Sequence, residues 1–173
     1  MSKSPHADRK ARKPSFPHRN LPLLLLHARE GVLMRFRPAL KSHGLTEQQW
    51  RILRALGEFG PLEPRQIVRR CGISSPSLAG ILARMEDLGL VQRERLDYDQ
   101  RRLIVRPTTR GRSLTRQMAA LVSTEYQAIE TALGTELLTT LHQTLDAVVA
   151  RLGVDTGAAD DARSTPTRDQ NAC

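Results

Sequence analysis

The sequence predicts a mostly α-helical fold with one small β-hairpin. Apolar residues recur at helical spacing in two stretches, one toward each end of the chain. Between them lie a short helix, a glycine and a second helix, followed directly by two short strands with a polar connection. Because 173 residues are about one domain's worth of chain, we expect these elements to share one folded body, residues 21–153.

The two ends of the chain are predicted to be disordered tails. Residues 1–20 carry six basic residues, one acidic residue and three prolines, and residues 154–173 are rich in Asp, Thr and Ala. Neither segment has enough apolar surface to offset the entropy that is lost on ordering. Two roles are open for the basic N-terminal tail: contact with phosphates of a polyanion, or solubility alone.

Composition argues against several classes of protein. The longest apolar run is residues 23–26, far short of the roughly 20 residues that span a bilayer, and no signal-peptide core is present, so we expect a soluble, cytoplasmic protein. Cys71 and Cys173 have no partners at metal-ligand spacing, which predicts neither a disulfide nor a metal site. With scattered histidines, no nucleophile elbow and no phosphate-binding glycine loop, we expect no enzyme activity and no cofactor.

The first predicted element is an amphipathic helix that begins near Pro22. Its apolar stripe includes one charged residue, Arg29, and an unpaired guanidinium on such a stripe is costly. A second helix follows the capping-box residues Thr46 and Gln49 and should stop within residues 57–61. Both helices, which we assign to residues 21–60, are interpreted as part of a dimerisation and ligand-binding layer.

Residues 109–153 contain two further helical patterns. Thr109 precedes the first, Gly134 ends it, and Thr135 is expected to cap the second. Each pattern has a continuous apolar face that a single surface helix would not need. Together with residues 21–60 they predict a helical layer through which two copies of the chain associate. The alternative is that they merely cover the core of a monomer.

Residues 61–108 contain the helix, turn and helix. The first helix should end at Gly72, since glycine readily takes the positive φ of a tight turn, and the second should begin with Ser75 as N-cap and Pro76 behind it. Five apolar residues of the second helix are expected to point inward: Leu78, Ile81, Leu82, Met85 and Leu88. The opposite face is small and polar, which suits insertion into the major groove of DNA. Its candidate contacts are Ser74, Ser75, Ser77, Gly80 and Arg84.

The hairpin is predicted to be a wing. Residues 91–96 and 103–106 are typical of strands, which places Arg101 and Arg102 at the tip, where a narrow minor groove attracts arginine. Asp99 is expected to brace one of these guanidiniums. Residues 65–112 carry 11 basic and five acidic residues, a local surplus that indicates a polyanion partner. The alternative for the tip is an exposed ion pair of little energetic value.

In this order of elements, residues 21–153 resemble the MarR family of winged helix-turn-helix regulators. The residues that carry the resemblance are 78–86 with 88–90, and 97–102 leading to 108–111. Within the family, residues 28–30, 36–38 and 45–52 look like the repressors of homoprotocatechuate (4-hydroxyphenylacetate) degradation. A nicotinate-pathway regulator that senses 6-hydroxynicotinate is similar too. The resemblance implies a homodimeric repressor of aromatic-acid catabolism genes. Such a repressor binds a palindromic operator in double-stranded DNA and leaves it when a small aromatic acid binds between the dimer layer and the winged domain.

Arg29 is the residue through which that implied ligand can be tied to this sequence. Because Glu30 should point elsewhere on the helix, the partner of Arg29 is expected on another element, another subunit or an anionic ligand. One hypothesis pairs Arg29 with an aromatic carboxylate, with Trp50 as an apolar wall and His43 or Arg51 as polar contacts. The alternative is a purely structural role for Arg29.

Two other kinds of DNA-associated protein stay open at this point. A sequence-tolerant architectural binder would show steep salt dependence without a preferred site. A redox-sensing regulator would use Cys71, although an apolar position at the helix-turn-helix corner favours a small buried hydrophobe there.

Overall fold

The computed structural model describes residues 17–96 and 99–157 and places six helices and one two-stranded antiparallel sheet within them. The elements are α1 (Leu21–Ser42), α2 (Glu47–Phe59), α3 (Pro64–Cys71), α4 (Ser75–Asp87), β1 (Val91–Leu96), β2 (Asp99–Pro107), α5 (Thr109–Leu133) and α6 (Thr135–Arg151). This architecture confirms the predicted fold class, a helical protein with a winged helix-turn-helix. The predictions for Cys173 and for most of both tails lie outside the described residues.

Local capping signals set the starts of the first two helices. Asn20 caps α1, with its Oδ1 accepting a hydrogen bond from the Leu23 amide at 3.0 Å. The predicted capping box of α2 is confirmed: the Gln49 amide donates to Thr46 Oγ1 at 3.2 Å, and the Thr46 amide donates to Gln49 Oε1 at 2.9 Å. Gly60 ends α2 with a φ of 76°, within the predicted stop.

The helix-turn-helix is confirmed, with a shift of one residue. Gly72 ends α3 in the left-handed region, as expected of the turn glycine. The N-cap of α4 is Ser74, and Ser75 is already the first helical residue, so the prediction of Ser75 as the cap was wrong. Proline is tolerated throughout a first helical turn, whose amides have no helical acceptor, so Pro76 did not fix the cap to a single position.

Four of the five apolar residues predicted to face inward from α4 are buried, which confirms the helical period there. They are Leu78, Ile81, Leu82 and Met85. The fifth, Leu88, is 41% exposed. The prediction was wrong at Leu88 because α4 ends at Asp87 and the chain turns toward the wing at Gly89, whose φ is 65°.

The wing is confirmed, but its second strand begins earlier than predicted, at Asp99. The register pairs Val91 with Pro107 and continues to Arg95 with Leu103, after which Leu96 faces Asp99. Residues 100–102 therefore bulge out of β2. Arg101 and Arg102 lie in this bulge, so their predicted position in the connecting tip was wrong. A bulge is set by the pairing partner, which a run of polar residues does not reveal.

The hydrophobic core lies between α2, α3, α4, the base of the wing and the middle of α5. Its fully buried side chains are Ile52, Leu53, Leu56, Ile67, Met85, Leu90, Val105 and Met118. A backbone bridge between Leu62 and Val105, with hydrogen bonds of 2.8 and 3.1 Å, fastens β2 to the loop between α2 and α3. The wing base and the helix-turn-helix thus share one core.

The helix after β2 begins at Thr109, and the start of α6 differs from the predicted cap. Thr108 caps α5, its Oγ1 accepting a hydrogen bond from the Gly111 amide at 3.0 Å. Gly134 occupies the N-cap of α6, and the Thr135 hydroxyl donates to Glu130 Oε1 at 3.0 Å instead of capping. The prediction of Thr135 as the cap was therefore wrong, because this hydroxyl finds an acceptor on the preceding helix.

The two outer helices, α1 and α6, expose large apolar side chains in the single chain. No residue of α6 is buried, and Leu24 on α1 is 40% exposed.

No helix among residues 17–96 and 99–157 combines the length and the hydropathy that a membrane crossing requires.

The described chain continues past α6 and returns to α3. A carboxylate oxygen of Asp155 lies 3.5 Å from Arg69 Nη1, and Gly157 is buried against Arg70. Residues 154–157 therefore take a defined position within the segment assigned to the C-terminal tail.

Candidate nucleic-acid interface and effector cavity

The outer face of α4 carries the predicted DNA-contacting residues. Ser74, Ser75, Ser77, Gly80 and Arg84 are all exposed. The Ser74 hydroxyl donates to Ser77 Oγ at 2.8 Å, and the Arg84 side chain extends over Gly80, where an added Cβ would lie 3.5 Å from Arg84 Nη1. Arg84 makes no hydrogen bond or ion pair with any residue that the structure describes. The face thus offers hydroxyls and one uncommitted guanidinium, groups that bind base edges and phosphates.

An ion pair fixes the end of α4 to the wing. Glu86 Oε1 accepts a hydrogen bond from the Arg93 amide at 3.0 Å, and its Oε2 accepts one from Arg93 Nε at 2.7 Å. These hydrogen bonds hold the pKa of Glu86 below its usual range. Glu86 is therefore a charge-neutralised link between the recognition helix and β1.

Arg102 is committed to the N-terminus of α3. Its Nε donates to Glu63 Oε1 at 2.7 Å, and its Nη2 donates to the same oxygen. Glu63 is buried and also pairs through Oε2 with Arg65 Nε at 2.8 Å. Arg102 therefore ties the wing to α3 through an acid 39 residues away, a partner that local sequence could not indicate.

Arg101, like Arg102, is exposed. It lines a surface cleft with Glu63, Arg65 and Arg102. Asp99 begins β2, but its side chain lies outside the described part of the chain, so the predicted brace stays a prediction.

Trp50 and Arg51 line a cavity of about 170 Å³ between α1, α2 and α5. The other lining residues are Val32, Leu33, Phe36, Leu40, Glu47, Arg54, Val122 and Tyr126. The rings of Phe36 and Tyr126 meet with their centroids 5.3 Å apart at 57°. The cavity is thus an aromatic and aliphatic slot with two guanidiniums and one carboxylate at its edge, a lining suited to a small ring with an anionic group.

Arg29 and His43 do not line this cavity. Arg29 Nη1 donates to Glu30 Oε1 at 3.0 Å, its Nη2 donates to Glu47 Oε1, and its side chain is 47% exposed. The expectation of a partner on another element is confirmed, because Glu47 lies on α2. The expectation that Glu30 points elsewhere was wrong, because this half of α1 lies outside the core and long side chains meet along its surface. His43 Nδ1 lies 2.9 Å from the Ala39 carbonyl oxygen, at the end of α1.

Arg51 connects the cavity to the helix-turn-helix. Its Nε lies 3.6 Å from Glu47 Oε1, and its Nη1 donates to the carbonyl oxygen of Cys71 at the end of α3. The Cys71 thiol is buried and donates to the Arg51 carbonyl oxygen at 3.5 Å. Burial raises the pKa of Cys71 to about 11, which is the opposite of the low pKa that a redox-sensing thiol needs.

Arg54 and Tyr126 were not among the residues predicted from the sequence. Arg54 follows Trp50 by four residues on α2 and makes no hydrogen bond or ion pair within the described ranges. This i, i+4 spacing on one helix face was the available signal for Arg54. No such signal exists for Tyr126, because its position depends on how α5 packs against α2.

Known proteins that are similar to this chain in sequence and in structure are transcriptional regulators. The MarR family profile matches residues 43–102. The chain is 39% identical to the homoprotocatechuate degradative operon repressor of Escherichia coli over 133 residues, 77% of this chain and 90% of that protein. It is also 39% identical to the HTH-type transcriptional regulator FarR of Neisseria gonorrhoeae over 128 residues, 74% of this chain and 88% of FarR. The crystal structure of NadR in complex with 4-hydroxyphenylacetate is similar, with a TM-score of 0.68 and 37% identity, covering 79% of this chain and 96% of NadR. This chain therefore belongs to the MarR family of winged helix-turn-helix transcriptional regulators.

Proposed function

We propose that the protein is a homodimeric, sequence-specific repressor that leaves its operator DNA when a small aromatic carboxylic acid binds. Its targets would be genes for the catabolism of such an acid, of the 4-hydroxyphenylacetate, homoprotocatechuate or 6-hydroxynicotinate type. The observation that carries the proposal is the outer face of α4, where Ser77, Gly80 and the uncommitted Arg84 are exposed together. Membership of the MarR family supports it.

In this proposal α4 enters the major groove. The hydroxyls of Ser74, Ser75 and Ser77 bind base edges or phosphates near its N-terminus, and Gly80 lets the helix backbone come close to the groove. Arg84 binds a guanine or a phosphate. Arg101 in the bulge of β2 reaches toward the adjacent minor groove. Arg102 contributes by holding the wing to Glu63 and does not itself read the sequence.

The unburied apolar faces of α1 and α6 are proposed to pack against a second copy of the chain. The apolar stripe of α6 and its C-cap comprises Leu138, Leu141, Leu145, Val148, Val149 and Leu152, yet none of these residues is buried in the single chain. A pair of chains related by a two-fold axis would cover them and would present two α4 helices to a palindromic site.

The aromatic acid is proposed to bind in the cavity lined by Trp50. At about 170 Å³, this space is smaller than the roughly 300 Å³ of the smallest drug-sized pockets, which suits a single-ring acid. The ring would pack against Trp50 and Tyr126, and the carboxylate would pair with Arg54, which has no competing partner among the described residues. NadR, a similar protein, is known in complex with 4-hydroxyphenylacetate.

Arg51 offers a route from the cavity to the DNA-binding face. It lines the cavity and at the same time binds the last carbonyl of α3. A carboxylate that draws this guanidinium toward itself would weaken its hold on α3 and change the position of the helix-turn-helix. The effector would then act by favouring an arrangement of α3 and α4 that fits the operator less well.

Two variants test the effector site. With Arg54→Gln, the concentration of aromatic acid that releases half of the operator DNA should rise at least tenfold, because a charge-assisted pair to the carboxylate is lost. Arg29→Gln serves as the comparison, since Arg29 reaches the cavity only through Glu47, and it should keep release within about threefold of the unmodified protein. Unchanged release in Arg54→Gln would overturn this placement of the acid, and loss of release in Arg29→Gln alone would restore the Arg29 hypothesis.

A further inference from the structure

A second cavity, of about 470 Å³, lies between the end of α2, the base of the wing and the start of α5. Its lining residues are Leu56, Gly57, Gly60, Pro61, Gln92, Arg106, Pro107, Arg112, Thr115 and Arg116. It shares none of them with the cavity of about 170 Å³ between α1, α2 and α5, which we call the effector cavity. We call it the wing-base cavity.

The charge of the wing-base cavity is entirely positive. Three arginines and no acidic residue line it. Arg112 donates to the Pro107 carbonyl oxygen at 2.7 Å and to Thr109 Oγ1 at 3.1 Å, which fixes its guanidinium at the edge of the cavity. Arg116 is exposed and makes no hydrogen bond or ion pair with the residues that the structure describes.

Arg106, the third arginine, uses only part of its hydrogen-bonding capacity. Arg106 Nε donates to Glu94 Oε2 at 2.9 Å, on the paired strand. A guanidinium has five N–H groups, so Arg106 and Arg112 both keep donors beyond the bonds they make. The cavity thus has a fixed guanidinium, an uncommitted one and a third nearby, which is the chemistry that binds a carboxylate or a phosphate.

The remaining walls are apolar. Leu56 and the rings of Pro61 and Pro107 face the space, and two glycines leave room beside them. The absence of a side chain at Gly57 matters for this space, because the Cβ of an alanine there would lie only 3.2 Å from Thr115 Cγ2. A bare inorganic anion would use only the arginines and would leave these walls without a partner. The combination fits an anion with an apolar body.

We propose that the wing-base cavity is a second ligand site, separate from the effector cavity, that binds a small organic carboxylate. The carboxylate pairs with Arg112 and Arg116, and the apolar body packs against Leu56, Pro61 and Pro107. The occupant touches α2, both wing strands and α5 at once. It therefore connects the wing base to the helix that leads into the dimer layer, and it biases the angle between them.

The test is a titration of the isotope-labelled full-length protein with benzoate, followed by backbone amide NMR. A groove between α2 and α5, which Trp50 also lines, shares Gly57 and Thr115 with the wing-base cavity. Gly60 lines the wing-base cavity and not this groove, so its amide reports on the wing-base cavity. Trp50, the single tryptophan of the chain, reports separately on the effector cavity and the groove beside it through its indole N–H. We expect benzoate to shift the Gly60 resonance in a saturable manner. Neutral benzamide and inorganic phosphate should shift it at least fivefold more weakly.

Matched variants then assign the carboxylate contact. Arg116→Gln should raise the dissociation constant reported by Gly60 at least fivefold and leave the Trp50 response unchanged. Arg110→Gln removes another exposed arginine of α5 that does not line the cavity, and it should leave both responses unchanged. The proposal is overturned if benzoate shifts only Trp50, if benzamide or phosphate acts as strongly as benzoate at Gly60, or if Arg116→Gln binds like the unmodified protein. The Gly60 readout requires neither DNA nor the effector cavity. A negative result for the wing-base cavity is therefore distinct from failure of the proposed repressor function.

Discussion

Replacing Gly111 with alanine should destabilise the protein by about 1–3 kcal/mol. Gly111 lies in the first turn of α5, directly against the backbone where the wing begins. A Cβ added there would lie 3.1 Å from the carbonyl carbon of Leu90 and closer still to its oxygen. Ordinary carbon–oxygen contacts are about 3.3 Å or longer, so the start of α5 and the start of β1 would have to separate by about 1 Å.

The size of the effect follows from what this separation strains. The Leu90 carbonyl accepts a hydrogen bond from the Thr108 amide at 3.0 Å, and a weakened bond of this kind costs about 1 kcal/mol. Forcing a methyl group into a packed backbone contact adds about 1–3 kcal/mol. The better helix propensity of alanine returns about 1 kcal/mol, which leaves a net loss of about 1–3 kcal/mol.

The assay is urea unfolding followed by far-UV circular dichroism at one fixed protein concentration, because association through the outer helices would make stability concentration-dependent. Gly31→Ala on α1 is the matched control, since a Cβ there meets nothing within 4 Å. Gly31→Ala should leave stability unchanged or raise it by up to about 1 kcal/mol. Equal stability of Gly111→Ala and Gly31→Ala would show that the Leu90 backbone does not restrict this position.

Three further predictions concern single contacts. Cys71, with a pKa of about 11, should react with iodoacetamide at least 100-fold more slowly in the folded protein than in urea, in a variant without the C-terminal cysteine, and equal rates would contradict its burial. Because Arg93 lowers the pKa of Glu86, their pair stabilises the fold above the ordinary carboxyl value of 4.5. Arg93→Met should therefore cost stability at neutral pH and progressively less as the pH falls below that value, whereas a cost that does not change with pH would refute the link. A double-mutant cycle of Glu63→Gln and Arg102→Met should give a coupling of about 1–3 kcal/mol, and a value below about 0.5 would show that the buried acid does not depend on Arg102.

Features governed by neighbouring residues could be predicted from the sequence. The capping box at Thr46 and the turn at Gly72 each depend on a few adjacent residues, and both are as expected. The position of Arg102 could not be read in this way. Its place in a bulge and its bond to Glu63 depend on pairing between distant segments, and a polar run in the sequence looks the same in a turn and in a bulge.

In the candidate sites, too, features set by adjacent residues could be predicted and features set by distant segments could not. Helical period alone placed Ser77 and Arg84 on the open face of α4. The effector cavity brings together Trp50 and Arg51, but Arg29 does not line it and instead binds Glu30 and Glu47, of which Glu47 lies at its edge. An apolar stripe in the sequence predicts burial only where another element covers it, and no element that the structure describes buries the first half of α1.

Fluorescence anisotropy tests most directly whether the protein is a repressor that an aromatic acid releases from DNA. The full-length protein would be titrated onto DNA from upstream of its own gene, with excess random DNA. The titration would be run without acid and with 4-hydroxyphenylacetate, homoprotocatechuate or 6-hydroxynicotinate. We expect tight binding that survives the competitor and that one of these acids abolishes, and we expect Arg84→Gln to weaken it at least tenfold, equivalent to about 1.4 kcal/mol or more. Binding that the random DNA removes would contradict sequence-specific recognition, and specific binding that none of the three acids affects would contradict the effector assignment.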